Sequence, residues 1–226
     1  MMFPYKEDSM STIQQIQASR ESFANGQKFY AANNFEDALR EFRRSVQLQE
    51  VVFGKYHKET IRSYLGHGKA ALMLERQTLA LQSFQRAMRM ANVSFAKGLQ
   101  HDLCLEIQTC WHQVHHQDDD SLLTLKKIFE KEDLGDKAVK KDQHVKAIEY
   151  YCEALSLQDA LVGNDSLDGA DIRYKLGSCL LKTKATPQAK HALQLAYKCY
   201  VDQVGKDHPA TMGCVSKMNT IVSPSA

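Results

Sequence analysis

The fold is decided by residues 26–45, which read GQKFYAANNFEDALREFRRS. Small and large residues stand at fixed distances from the opening glycine: an aromatic three residues on, alanine twelve on, phenylalanine sixteen on and serine nineteen on. Small residues at such points let two helices approach closely, and the large side chains fill the space between them. Asn33 and Asn34 interrupt the helical pattern. The stretch therefore predicts two helices packed antiparallel.

The same spacing returns from Gly68, Gly135 and Gly177. A helix pair that repeats in this way cannot bury its apolar face alone, so successive pairs are expected to stack. We therefore predict an all-α fold, a right-handed α-solenoid of antiparallel helix pairs. The alanines twelve residues after each glycine are Ala38, Ala80, Ala147 and Ala189, and the large residues sixteen after it are Phe42, Phe84, Tyr151 and Leu193.

The residues around the two later glycines form a more specific pattern. Leu134-Gly135 and Leu176-Gly177 are Leu-Gly pairs, and residues 147–155 read AIEYYCEAL. These residues resemble the tetratricopeptide repeat (TPR), a helix pair that stacks into a superhelix. The resemblance implies a TPR-like superhelix that binds other proteins.

The glycine spacing is longer than the ordinary TPR period of about 34 residues. Gly26 and Gly68 are 42 residues apart, as are Gly135 and Gly177, and residues 204–211 read VGKDHPAT. This turn resembles the inter-repeat turn of kinesin light chains, in which Gly ends one helix and Pro opens the next. The chain departs from that family at the asparagine two residues before each glycine, where it has Ala24, Gly66, Asp133 and Lys175.

The middle of the chain breaks the period. Gly68 and Gly135 are 67 residues apart, which is neither one period of 42 nor two. Two interpretations remain open for the irregular segment, about residues 99–132. Either a short helix occupies residues 121–128, or one long helix runs from Ser121 to Lys141. We divide the chain into a flexible N-terminus (1–11), a helical repeat domain (12–222) and a C-terminal tail (223–226).

Composition excludes several function classes. The 226 residues carry a formal charge of +2, which gives no field for nucleic acid. No segment approaches the 18 or so apolar residues that a membrane span needs, and no secretory signal opens the chain. The six cysteines are scattered without a C-x-x-C pair, which favours a reducing compartment and a cytoplasmic location.

The helical period predicts which side chains face a concave groove. Positions six, three and two before each glycine, and one, four and five after it, face inward. The resulting groove is basic and apolar in its N-terminal half and acidic in its middle, with arginines for carboxylates and Leu72 among the apolar anchors. The candidate partner-binding residues are Arg20, Phe23, Gln27, Tyr30, Arg62, Leu65, Lys69, Met73, Asp136, Tyr174, Lys175 and Ser178.

These patterns favour a non-catalytic scaffold or adaptor that binds a peptide or helix of another protein. Phosphate-loop, Gly-x-Ser-x-Gly and dinucleotide motifs are missing, so we expect no enzyme, no cofactor and no small-molecule substrate. One alternative is a structural subunit of a larger assembly without a free peptide site. Another is a metal-responsive protein that uses His112, His115 and His116 beside Cys110, although no zinc spacing is matched.

Overall fold

The computed structural model describes residues 11–95, 101–114 and 119–222, which leaves the predicted tail and nearly all of the predicted N-terminal segment outside it. Every regular element in these ranges is an α-helix, so the predicted all-α solenoid is confirmed. None of the described helices combines the length and the apolar character needed to cross a bilayer. The helices are α1 (Thr12–Ala31), α2 (Phe35–Val52), α3 (Lys58–Met73), α4 (Gln77–Phe95), α5 (His101–Val114), α6 (Asp119–Lys140), α7 (His144–Val162), α8 (Leu167–Lys182), α9 (Thr186–Val204) and α10 (Pro209–Val222).

Four helix pairs carry the predicted small-to-large contacts: α1–α2, α3–α4, α6–α7 and α8–α9. A Cβ added at Gly135 would lie 2.5 Å from Cε1 of Tyr151, and one added at Gly177 would lie 2.8 Å from Cγ of Leu193. Any side chain there would overlap the large residue, which explains why the positions are glycine. The four alanines predicted at the helix contacts are completely buried.

The turns repeat with the same period as the helices. Asn33, Glu75, Asp142 and Lys184 each connect the two helices of a pair and have φ near +60°. Gly54, Gly163 and Gly205 connect one pair to the next with φ between +81° and +96°, where glycine is favoured. The predicted break at residues 33–34 and the predicted turn at Gly205 are therefore confirmed.

The irregular middle consists of α5 followed by the 22-residue α6. Of the two interpretations, the short helix is wrong and the long helix is right, because neither proline nor any glycine before Gly135 interrupts this stretch. Trp111 on α5 is fully buried, and its Nε1 donates to Ser121 Oγ on α6 at 3.1 Å. Helix α5 also packs on α4, and α6 is the first helix of the next pair, α6–α7.

The chain folds back on itself. We call α1–α5 the N-terminal half and α6–α10 the C-terminal half. A simple array would place each pair only against its neighbours. Here α4 also contacts α7 and α8, and Arg43 on α2 donates to the backbone carbonyls of Asp202 and Gln203 at the end of α9. The second half therefore packs against the first.

Candidate functional site

The first helices of the N-terminal half border a cleft of about 500 Å³. The periodic count from Gly26 and Gly68 predicts these helix faces, and α1 and α3 supply most of the lining. Glu106 from α5 closes one side. Six of the predicted binding residues line this cleft: Phe23, Gln27, Tyr30, Arg62, Leu65 and Lys69.

A second cleft of about 550 Å³ adjoins the first and shares Tyr30, Lys69 and Glu106 with it. Its apolar lining includes Met73 and Leu105, which are 51% and 56% exposed. Large apolar side chains exposed together in a cleft are typical of binding surfaces. We call the two clefts together the N-terminal groove.

The charges in the N-terminal groove are only partly neutralised. Lys69 pairs with Glu106 at 2.5 Å, and this ion pair raises the pKa of Lys69 although burial opposes the rise. Arg62 is exposed, and no described carboxylate lies within ion-pair distance of its guanidinium. Arg20 is likewise exposed but does not line the clefts. The groove therefore presents an arginine beside an apolar floor.

Sequence reasoning missed the contribution of α5. Leu105, Glu106, Thr109 and Gln113 all line the second cleft. The inward face of a helix was counted from a glycine, and α5 contains none. Cys110 lies one period of 42 residues after Gly68 and so indicates that a repeat helix is present. Because α5 has no glycine at this position, the sequence does not define which face of the helix points inward.

The C-terminal predicted residues do not continue this groove. Asp136, Tyr174 and Lys175 line a separate cleft of about 550 Å³ between the two halves. We call the surface formed by α6 and α8 there the C-terminal groove. Ser178 does not line it, and its hydroxyl donates to the Tyr174 carbonyl at 2.7 Å. These predicted residues lie on a different surface from the N-terminal groove, because the C-terminal half packs against the N-terminal half.

Two arginines of helix α4 reach the carboxylates of the C-terminal groove across the cleft. The Arg86 guanidinium donates to Asp168 at 2.7 Å and to Asp171 at 2.5 Å, and all three side chains are largely buried. Lys55 adds a second cation at 3.2 Å from Asp171. Arg89 pairs with Glu132 and lies over the Phe129 ring, 5.0 Å from its centroid.

These cations change the ionisation of the carboxyl groups they face. Burial by itself would raise the pKa of Asp171, but Arg86 and Lys55 outweigh burial and hold that pKa well below its usual range. The pKa of buried Glu50 is likewise lowered, since His208, whose Nε2 lies 3.3 Å from its carboxylate, and the charge of Arg86 outweigh its burial. The cations therefore favour the ionised forms of Asp171 and Glu50. Within the described residues, Nε of Arg86 and both Nε and Nη2 of Arg89 are nevertheless buried without a hydrogen-bond partner.

The predicted residues of the C-terminal groove also pair among themselves. Lys175 Nζ donates to Glu132 and Asp136 at 2.8 Å each, and Tyr151 donates to Asp136 at 2.6 Å. These ion pairs raise the pKa of Lys175 against the opposing effect of burial. In this conformation Asp136 and Lys175 are engaged within the chain, unlike Arg62 in the N-terminal groove.

The residues proposed for a metal are only partly described. His112 lies on α5, and its buried Nδ1 has no hydrogen-bond partner. His115 and His116 lie outside the described residues. Within the described ranges, no group of three or more histidine, cysteine, aspartate or glutamate side chains could hold a metal ion.

Residues 27–92, from within α1 to within α4, match the family model for the tetratricopeptide repeat. Over these residues the chain is similar to tetratricopeptide repeats. The TPR match includes Arg62, Leu65 and Lys69 of the N-terminal groove, and the pairs α6–α7 and α8–α9 have the same small-to-large contacts. The kinesin-light-chain subtype stays a prediction. No curated protein matches the chain. TPRs generally mediate protein–protein interactions.

Proposed function

We propose that this protein is a non-catalytic cytoplasmic adaptor that binds a peptide or helix of a partner protein in its N-terminal groove. One observation carries the proposal: Arg62, with no described carboxylate to neutralise it, lies in the same cleft as the apolar side chains of Phe23 and Leu65. The TPR match supports a role in protein binding.

The lining of the groove defines the chemistry of the partner segment. An arginine can hold a carboxylate through two parallel hydrogen bonds. Tyr30, Met73 and Leu105 offer an apolar surface next to it, which an aliphatic or aromatic side chain would cover. We therefore expect a segment that carries an acidic residue close to a large apolar one.

Selection from a random peptide display library on the immobilised chain tests this expectation. The selected consensus should pair Asp or Glu with a large apolar residue. A labelled consensus peptide is then titrated by fluorescence anisotropy against the wild type and Arg62→Ala. Loss of a charge-assisted hydrogen bond of about 1.5–3 kcal/mol should weaken binding roughly tenfold or more.

The matched control is Lys190→Ala, which removes an exposed cation from α9, outside both clefts of the groove. This variant should bind the peptide like the wild type. Equal affinity for Arg62→Ala and the wild type, or a consensus without an acidic residue, would contradict the proposal.

A further inference from the structure

Helix α4 has two faces of opposite character. Ala80, Phe84 and Ala87 are completely buried in the core of the N-terminal half. The opposite side carries a polar stripe with the spacing i, i+3, i+4, i+7, which places its members on one face of a helix. The stripe consists of Gln82, Gln85, Arg86 and Arg89.

Every member of the stripe contacts the C-terminal half. Gln82 Nε2 donates to the Val162 carbonyl at 3.0 Å. Gln158 Nε2 donates to Gln85 Oε1, also at 3.0 Å, so two buried amides pair across the contact. The two arginines then meet the carboxylates of α6 and α8 as described above. The side chains of the stripe therefore contact the C-terminal half through the hydrogen bonds and ion pairs by which a bound ligand would be held.

The charges across this contact are complementary. The N-terminal half contributes the cations Lys55, Arg86 and Arg89 and one carboxylate, Glu50, which lies 3.5 Å from Arg86. The C-terminal half contributes three carboxylates. Apolar contacts also join the halves, since Val162 belongs to the buried cluster of the N-terminal half. Interfaces within a chain resemble those of transient complexes, in which the two bodies can separate. Separation returns both sets of charges to water, whereas removing one partner strands the other. The carboxylates are Glu132, Asp168 and Asp171.

We propose that the C-terminal groove is a binding site for a partner helix that carries two arginines three residues apart, and that α4 occupies this site in the closed chain. A partner helix with such a stripe competes with α4 for Glu132, Asp168 and Asp171. Binding therefore separates the two halves while α4 stays in the core of its own half. This site is distinct from the N-terminal groove, so either proposal can fail without the other.

The test uses the full chain and a fluorescein-labelled peptide of residues 77–95, which reproduces α4. In the variant Arg86→Ser/Arg89→Ser the chain's own stripe loses its charges, while the carboxylates of the groove are unchanged. We expect the peptide to bind this variant at least tenfold more tightly than the wild type by fluorescence anisotropy. A control peptide carrying both Arg-to-Ser replacements should bind neither protein.

Two further variants keep the test decisive. Arg40→Ser/Arg44→Ser removes two exposed arginines of α2 that line neither groove, and this variant should bind the peptide as weakly as the wild type. Arg89→Ser alone retains Arg86 and should give an intermediate gain, which decides the outcome if circular dichroism shows that the double variant is unfolded. If folded variants bind the peptide no better than the wild type, or bind the control peptide equally well, the proposal is overturned.

Discussion

The two grooves of this protein are built from the same repeat positions but differ in what covers them. In the N-terminal groove, Met73 and Leu105 are about half exposed, and Arg62 faces no described carboxylate. In the C-terminal groove, Asp171 faces two cations from the other half of the chain. The charges that a solenoid groove presents therefore depend on which parts of the chain lie against it.

The difference is also one of electrostatic environment. Lys69 and Glu106 form their pair near solvent, with side chains 33% and 48% exposed. Arg86 and Asp168 are 3% and 2% exposed. Exposed pairs are worth about 0–1 kcal/mol, whereas breaking a buried pair by removing one partner costs about 3–5 kcal/mol. Mutation at the two grooves should therefore have very different effects on stability.

Arg86→Ala should produce the largest effect. It leaves the carboxylates of Asp168 and Asp171 buried without their main cation, and we expect the free energy of unfolding to fall by about 3–5 kcal/mol in urea denaturation. Arg62→Ala, the same change in the N-terminal groove, should stay within about 0.5 kcal/mol because Arg62 is exposed. Equal losses from the two variants would contradict the distinction between the grooves.

Acid should act on the two halves in different pH ranges. Burial lowers the pKa of His67, in the N-terminal half, to about 4, so the folded chain holds this histidine neutral. The unfolded chain binds the proton from about pH 6.5 downward. Stability should therefore fall between pH 6.5 and 4, by as much as about 3 kcal/mol.

The carboxylates between the halves change the stability at lower pH than His67 does. Since the pKa values of Asp171 and Glu50 are lowered in the folded chain, their contribution is complete above their ordinary values of about 4 and is lost as the pH falls below them. Urea denaturation from pH 7.5 to 3 measures both ranges. His67→Asn, which keeps a hydrogen-bonding atom near Ser83, should flatten only the upper range. An unchanged slope there would show that His67 is not responsible.

Glu106→Gln should produce the smallest effect. It removes the partly exposed pair with Lys69, and the free energy of unfolding should change by less than about 1 kcal/mol. The comparison is Glu132→Gln, whose buried carboxylate meets Arg89 and Lys175 and whose loss should cost more. Thermal denaturation of the two variants compares the grooves directly. A larger loss of stability from Glu106→Gln than from Glu132→Gln would contradict the distinction between an exposed and a buried ion pair.

Much of the N-terminal groove could be predicted from the sequence. Counting from Gly26 and Gly68 brings residues of α1 and α3 to one cleft, because a helix repeats its faces every 3.6 residues. The same count fails on α5, which has no glycine to set its phase. It also places Arg20 in the groove, although this residue does not line either cleft.

The pairing of the C-terminal groove with α4 could not be predicted in this way. Residues 82, 85, 86 and 89 are polar, and such a stripe on a helix ordinarily faces solvent. Nothing in the repeat period distinguishes a stripe in water from one bound to a distant part of the chain. Arg86 and Asp168 are 82 residues apart in sequence, so their pairing depends on how the halves meet.

The sequence by itself determined the helix pairs, their turns and the small-to-large contacts within each pair. Those contacts join residues such as Gly135 and Tyr151, which are neighbours in a local motif and are therefore specified by residue type and spacing. Only the tertiary structure decided which groove meets cations from the other half of the chain. This pairing depends on complementary charges on surfaces that are distant in sequence, and the local repeat period does not predict it.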